Sequence, residues 1–457
     1  MDNRYISTTA PTESRLLLIF TGWSTDHNHL RELQMPGWDI AVIYDYSSLI
    51  LNNAPDFSRY DEIAVIAWSF GVPAATVFLK ENQHLPVTCT IAVNGTLYPV
   101  DDLRGIPHAV FNATRDTLSQ SSLQKFYRRM CGSSALYARW QANLPEPRSI
   151  DSLKSELDAI ANMADVTADS KLWDHIVISD NDRIIPTENQ LHAWEKHPDV
   201  RLTDGSHLPD FQAIINEYIR DKSIIGNRFK EAAQTYDSNA DAQTTIACHL
   251  AEMINKHIAT DKLRNILEIG CGTGLFTREY LKSLSPDELQ LWDLSHIDKH
   301  LPGHHVICDA ELGILQCSPS CFDAILSAST IQWFRSPIRF VDRCSRAIRP
   351  GGLIALSTFG EDNFAELNPF LAKSGKPLHY LSMEQWRKNI PASLEIIDIS
   401  DEHLNMSFAT PTHLLRHIRL TGVATTQSRR ADIASNIIRS GLTTLTYHPI
   451  YLILRRK

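Results

Sequence analysis

Long apolar runs are missing from this chain of 457 residues. None approaches the roughly 20 residues needed to cross a bilayer. The opening MDNRYISTTAPTES also lacks the basic-then-apolar layout of a secretory signal. Together these absences predict a cytoplasmic protein with no membrane association. Clustered cysteine is missing too. The eight cysteines are scattered, and although Cys317 and Cys321 bracket Ser-Pro-Ser, no second Cys or His pair stands at zinc spacing. Free thiols in a reducing compartment, and no metal, are expected. Positive charge is in deficit: 44 Lys and Arg against 53 Asp and Glu leave a formal charge of −9. That argues against non-specific binding of nucleic acid. No internal repeat and no low-complexity tract occurs.

What is present is globular. Hydrophobic residues make up 43% and charged residues 21% of the chain. Its length exceeds one ordinary core, so two or three domains are expected. Apolar runs of strand length stand at Arg15–Gly22, Asp39–Tyr46, Glu62–Trp68, Thr88–Asn94, His175–Ser179 and Val200–Thr203. Their alternation with helix-length polar segments predicts a buried parallel sheet. Between Thr117 and Ala164 the pattern turns helical and rich in Arg, Lys and Gln, as for a lid laid over that sheet. A second alternation follows. A long helix is predicted over Ala232–Asn255, then strands at Asn265–Ile269, Leu289–Trp292, His305–Ile307, Phe322–Leu326 and Gly352–Thr358. The predicted division is a domain over 1–220, a linker at Asp221–Asn227 and a domain over 228–457.

In the second domain NILEIGCGTG sets an apolar strand against three glycines, Gly270, Gly272 and Gly274. Glycine permits positive φ and close approach of the backbone to a ligand. The helix predicted at Leu275–Leu281 points its first amides into the same space. Alone this is a nucleotide-type loop. Three acids make it more specific. Glu268 at the strand end can hold the ammonium of a methionine moiety. Asp293, 23 residues past Gly270, can accept from both ribose hydroxyls. Asp309-Ala310 can reach an adenine amino group. A dinucleotide dehydrogenase would usually place a third glycine inside the helix, and here that position is not glycine. Order and spacing resemble the class I, Rossmann-like methyltransferases, which implies S-adenosyl-L-methionine as cofactor.

Further segments narrow the resemblance. FKEAAQTYDSNADAQ with Phe229, Tyr236, Ala240 and Gln243, SASTIQWF with Gln332-Trp333, RPGG at Arg349–Gly352, LLRHIRLT at Leu414–Thr421 and LTYH at Leu445–His448 are similar to malonyl-acyl-carrier-protein methyltransferases of the BioC type. The likeness runs from about Phe229 to the C-terminus. It departs at Gly422-Val423-Ala424, where the family more often has Gly-Ala. It implies methylation of the free carboxylate of a malonyl thioester on acyl-carrier protein. Such a carboxylate is already ionised at pH 7, so no general base is required. Alignment and removal of water are required. Tyr236 and Trp333 are the candidate walls of the acceptor pocket, with ordinary core packing as the competing role.

In the first domain EIAVIAWSFG runs a strand into Ala-Trp-Ser-Phe-Gly before a helical VPAATVFL. This is a nucleophile elbow with Ala67 in the first glycine position. Triad members follow in the order Ser, Asp, His in that fold. Ser69 is the candidate nucleophile, Asp182 in ISDNDRIIP the acid with Asp180 second, and His207 in Gly205-Ser206-His207 the base. The amides of Phe70 and Trp23 are the candidate oxyanion hole. Phe20–Trp23, Ala67–Gly71, the Asp182–Pro186 loop with Asn189-Gln190, and Gly205–Pro209 resemble the BioG-type pimeloyl-carrier-protein methyl ester esterases over about Arg15–Tyr218. Asp210 stands where the family often has Phe. The resemblance implies an α/β-hydrolase domain with a helical lid.

Both families handle acyl-carrier protein, which is acidic, so docking on this acidic chain calls for local basic surface. Lys125, Arg128, Arg129 and Arg139 in the lid segment are candidates, against the plain reading of a solvated helix face. Two other functions stay open at this stage. One is a small-molecule methyltransferase fused to an unrelated carboxylesterase. The other makes the first domain a docking module without catalysis.

Overall fold

A computed structural model describes residues 1–5, 13–51, 54–142, 148–165, 170–219, 222–257, 263–372, 380–421 and 430–457. The chain divides into two compact units, Met1–Arg220 and Asp221–Lys457. Both are built as α/β layers.

The first unit holds strands β1 (Asp2–Tyr5), β2 (Arg15–Phe20), β3 (Asp39–Tyr44), β4 (Glu62–Trp68), β5 (Val87–Val93), β6 (His175–Ser179) and β7 (Val200–Thr203). They form one sheet in the order β1-β3-β2-β4-β5-β6-β7. All neighbours run parallel except β1, which pairs antiparallel with β3. β4 and β5 are buried at every residue, so their continuous apolar runs fit a sheet covered on both faces. The short polar β1 gave no apolar signal. It caps an edge where only one side needs a partner. Helix α1 (Gly71–Glu81) leaves β4 directly. The predicted lid is α3 (Gln120–Cys131), α4 (Ser134–Ala142) and α5 (Ile150–Ala161), preceded by α2 (His108–Asp116). Ser119 and Ser149 cap the starts of α3 and α5, and Gly132 ends α3 at φ +69°. Helix α6 (Thr187–Ala193) follows the acid loop, and α7 (Phe211–Tyr218) closes the unit.

The second unit opens with a departure from expectation. The predicted linker is helical from Lys222, the first residue of α8 (Lys222–Tyr236). The single helix predicted over Ala232–Asn255 is in fact the end of α8 and most of α9 (Asp241–His257). The break has a local cause: the Ser238 hydroxyl and the Asn239 side-chain amide both donate to the Thr235 carbonyl, competing with helix continuation. Strands β8 (Asn265–Ile269), β9 (Glu288–Asp293), β10 (His304–Ile307), β11 (Phe322–Ser327), β12 (Ile348–Phe359), β13 (Leu394–Asp401) and β16 (Pro449–Arg456) form a sheet in the order β10-β9-β8-β11-β12-β16-β13. β16 is antiparallel to both β12 and β13, while the other pairs are parallel. β14 (Leu404–Ser407) and β15 (Thr444–Tyr447) make a separate ribbon. Helices α10 (Leu275–Tyr280), α11 (Ala310–Gly313) and α12 (Pro337–Ala347) lie between strands. The strand order reverses between β8 and β11, which places a ligand crevice at their carboxyl ends. The predicted Gly422–Thr425 segment lies outside the described residues. Among the described residues no helix is long and apolar enough to cross a membrane.

Candidate active sites

In the first unit the sharp turn after β4 puts Ser69 at φ +57°, a left-handed conformation that L-residues adopt at a cost. Small neighbours make the turn possible. A Cβ on Gly71 would lie 2.4 Å from the Phe20 carbonyl oxygen, and one on Gly95 2.5 Å from that of Ser69. Ser69 Oγ stands 3.0 Å from His207 Nε2, and His207 Nδ1 stands 2.8 Å from Asp182 Oδ2. Three residues far apart in the chain thus form one relay, with all three side chains buried.

The relay is held from behind. Asp182 Oδ1 accepts the amides of Ile184 and Ile185 at 2.8 and 3.0 Å, and Oδ2 also accepts Gln190 Nε2 at 2.8 Å. These donors fix the orientation of the carboxylate toward His207. The His207 carbonyl accepts Trp68 Nε1 at 2.8 Å and Asn94 Nδ2 at 2.9 Å. Asn94 also donates to the Ser206 carbonyl and accepts the Ser179 amide through Oδ1. Sequence reasoning matched Gln190 without giving it a role and missed Asn94. Its position directly after a buried strand was the available signal. Asp180 does not pair with the histidine; its Oδ1 accepts the Gly205 amide and shapes the loop that presents His207.

Phe70 is the N-cap of α1, so its amide is among the helix's unpaired first donors. Gly22, Trp23, Ser69, Phe70 and His207 line one cavity, together with Phe126, Met130 and Leu157 of the lid and Phe111 of α2. The Trp23 indole is also a lid anchor: Nε1 donates to the Leu153 carbonyl at 3.0 Å, and its ring meets Phe126 edge-on at 4.9 Å. Of the basic residues considered for docking, Arg129 reaches the cavity wall. Lys125 and Arg128 are exposed, and Arg139 is paired with Glu32 at 2.8 Å.

In the second unit the glycine loop and the ends of β9, β10 and β11 surround a larger cavity. Gly270, Gly272 and Gly274 take φ of +73°, +50° and +84°. Packing explains two of them, since a Cβ would meet Thr330 at 2.1 Å or Leu301 at 2.4 Å. Gly272 is different. A Cβ there would meet only Asp293 Oδ2, at 3.9 Å, so it would project into the cavity. Asp293 is fastened by the amides of Gly272, Ser295 and His296 at 3.0, 3.0 and 3.2 Å. Burial nonetheless pushes its pKa up, against those three hydrogen bonds. Gln243 Oε1 and the Ser295 and Ser329 hydroxyls, all on cavity residues, have no partner among the described residues. Open glycine cradle, fixed acid and unpaired polar atoms fit a polar adenosyl ligand. Tyr236 and Trp333 both line the cavity, joined through Phe229, whose ring meets theirs edge-on at 6.3 and 5.6 Å. Ala310 lines it as well.

Two acids make contacts that the sequence did not foresee. Glu268 does not line the cavity. Its Oε2 accepts from Thr277 Oγ1 and the Tyr280 hydroxyl, both at 2.7 Å, because its side chain turns under α10. Burial raises its pKa to about 7. Its Oε2 ties the end of β8 to α10. Asp309 does line the cavity, but both its oxygens are 2.6 Å from Lys222 Nζ, a residue the sequence placed in a linker.

Among the described residues one group has metal-ligand proximity, Asp362, His403 and His448. His448 has both ring nitrogens committed, Nε2 to Asp401 at 2.9 Å and Nδ1 to the Asp362 amide at 3.2 Å.

Comparison with known proteins decides the family. A protein of Bacteroides fragilis called malonyl-[acyl-carrier protein] O-methyltransferase is 33% identical over 98% of this chain and 94% of its own length. The chain belongs to that family. Its Acinetobacter baylyi member matches 51% of the chain at 35% identity, over 97% of its own length. The family model described as pimeloyl-ACP methyl esterase BioG matches residues 1–214, and a methyltransferase domain model matches 267–356. The crystal structure of BioG from Haemophilus influenzae is 32% identical, covering 45% of this chain and 94% of that one, with a TM-score of 0.41. The chain is a BioG domain followed by an S-adenosyl-L-methionine-dependent methyltransferase domain of Rossmann-like fold.

Proposed function

We propose that the chain performs two steps in making the pimeloyl precursor of biotin. It methylates the free carboxylate of malonyl-acyl-carrier protein and later hydrolyses the methyl ester of pimeloyl-acyl-carrier protein. The observation that carries the reading is a complete Ser69–His207–Asp182 relay on the same chain as the methyltransferase cavity.

For the ester, Ser69 Oγ attacks the carbonyl carbon while His207 Nε2 takes its proton. Asp182, held by two amides and Gln190, keeps the imidazole in the right tautomer and stabilises its charge. The Phe70 and Trp23 amides receive the oxyanion. His207 then returns the proton to departing methanol, and water attacks the acyl-serine by the same route.

For the methylation, bound S-adenosyl-L-methionine supplies an electrophilic methyl group. Asp293 accepts from the ribose hydroxyls, and the backbone around Gly272 admits the ligand closely. Asp309 accepts from the adenine amine. Tyr236, Phe229 and Trp333 wall the acceptor side and exclude water from an already ionised carboxylate. Masking that charge lets apolar acyl-elongation sites take the thioester. Its later removal ends elongation.

The test is complementation of bacterial strains lacking either the methyltransferase or the esterase. The parent chain should rescue both. Ser69→Ala should fail only in the esterase strain and Asp293→Ala only in the methyltransferase strain. Rescue of the esterase strain by Ser69→Ala would defeat the hydrolytic half. No fluorophosphonate labelling of Ser69 in folded protein would favour a docking module.

A further inference from the structure

Lys222, at the start of α8, has no part in the steps above. Lys222 is 8% exposed. Its Nζ contacts both oxygens of Asp309 at 2.6 Å and Glu311 Oε2 at 2.5 Å, with the Phe334 ring centroid 5.4 Å away. Burial works against the ammonium, but Glu311 and Asp309 outweigh it and hold its pKa above the ordinary range. Glu311 is buried and committed, its carboxylate accepting the amides of Arg335 and Ser336. Asp309 is less so. Oδ1 accepts from Lys222 and from the Glu311 amide, and Oδ2 from Lys222. A carboxylate offers about four lone-pair sites, so Oδ2 keeps one for a ligand in the cavity it lines.

The helix that carries Lys222 is itself a cavity wall. Lys222, Ile225, Gly226, Phe229, Ala233 and Tyr236 share its inward face at helical spacing. Gly226 brings the backbone close, since a Cβ there would lie 3.1 Å from Ser295 Cβ. The far end is tied to the glycine loop, with Asp237 accepting from Thr273 Oγ1 at 2.5 Å and from Arg278 at 2.7 Å. Without Lys222, the half-buried Asp309 and the buried Glu311 would face each other with no cation between them, and Asp309 would lose the contacts that fix both of its oxygens. An Asp309 carboxylate free to turn away would no longer present an acceptor to the adenine amine.

We propose that Lys222 is a positioning residue for adenine recognition, keeping Asp309 an oriented acceptor, so that the first turn of α8 belongs to the cofactor site. This rests on the reading that Asp309 accepts from the adenine amine. A methyltransferase excised at Phe229 would lack Lys222, Ile225 and Gly226.

Calorimetric binding of S-adenosylhomocysteine and S-inosylhomocysteine to the full chain tests it. The second ligand replaces the amine by an oxo group. The parent should prefer the adenosyl ligand, and Lys222→Met and Lys222→Gln should lose roughly tenfold or more of its affinity with little change for the inosyl ligand. Lys222→Arg should restore the preference. Thermal unfolding checks that each variant folds, and the glutamine variant carries the comparison if the methionine one does not. Retention of the parent's preference, or equal loss of both ligands, would overturn the role of Lys222. A parent without any preference would defeat the Asp309 reading and the proposal with it.

Discussion

Ser69 is held in a left-handed turn, and the turn exists because Gly71 lies against the Phe20 backbone. Gly71→Ala should therefore cost roughly 1–3 kcal/mol through overpacking, read as a lower unfolding midpoint, with ester hydrolysis falling more steeply than methyl transfer. Gln190 is buried and donates to the same Asp182 oxygen as His207. Removing a hydrogen bond to a charged group costs about 1.5–3 kcal/mol, so Gln190→Leu should lower kcat for ester hydrolysis by one to two orders of magnitude with KM little changed. Glu268 gives a pH prediction. Burial raises its pKa from 4.5 to about 7, so the folded state favours the protonated form. That contribution is complete below pH 4.5 and is lost as pH rises through 7, a difference of about 3 kcal/mol. Glu268→Gln should flatten the dependence of the second unit's stability over that range. An unchanged slope in a denaturation series from pH 4.5 to 8 would contradict it.

Two elements do more than connect. The lid brings Phe126, Met130 and Leu157, and α2 brings Phe111, to the cavity of Ser69, so the space beside the nucleophile is mostly apolar. A longer acyl chain buries more surface there than a malonyl group, at roughly 25 cal/mol per Å². Pimeloyl methyl ester should then be hydrolysed well ahead of malonyl methyl ester; equal kcat/KM for the two would remove the lid from the account of selectivity. Arg129 on α3 reaches the same cavity, while the exposed Arg128 has its guanidinium over the Tyr137 ring and Arg139 is occupied by Glu32. Reversing charge at Arg128, which is outside the cavity lining, should raise KM for the carrier-bound ester and leave a small soluble ester unaffected. Helix α8 is the other such element, a wall of the methyltransferase cavity fastened at both ends.

For the whole molecule the chemistry is paired: one unit is proposed to add a methyl ester and the other to remove it. The arrangement works only if the esterase spares the short ester made by its neighbour, which makes chain-length discrimination the property on which the fusion depends. Mixing the purified chain with malonyl-acyl-carrier protein and S-adenosyl-L-methionine should accumulate the methyl ester, with Ser69→Ala accumulating it no faster. Rapid loss of that ester in the parent alone would break the scheme.

Much of this was legible in the order of residues. Ser69, Asp182 and His207 stand in the chain order that the hydrolase fold requires, and the spacing from Gly270 to Asp293 follows from strand and helix lengths. Local rules also placed the lid, because helical period depends only on near neighbours. What needed the folded chain was every choice between chemically equal candidates. Asp180 and Asp182 differ by two residues, and only the path of the loop decides which one meets His207. Glu268 and Asp293 both end strands, yet one turns under α10 and the other faces the cavity. Asp221–Asn227 has linker composition, but burial of Lys222 between Asp309 and Glu311 makes most of it helix and cavity wall. Side-chain direction and charge pairing at a distance are properties of packing, and sequence spacing carries neither.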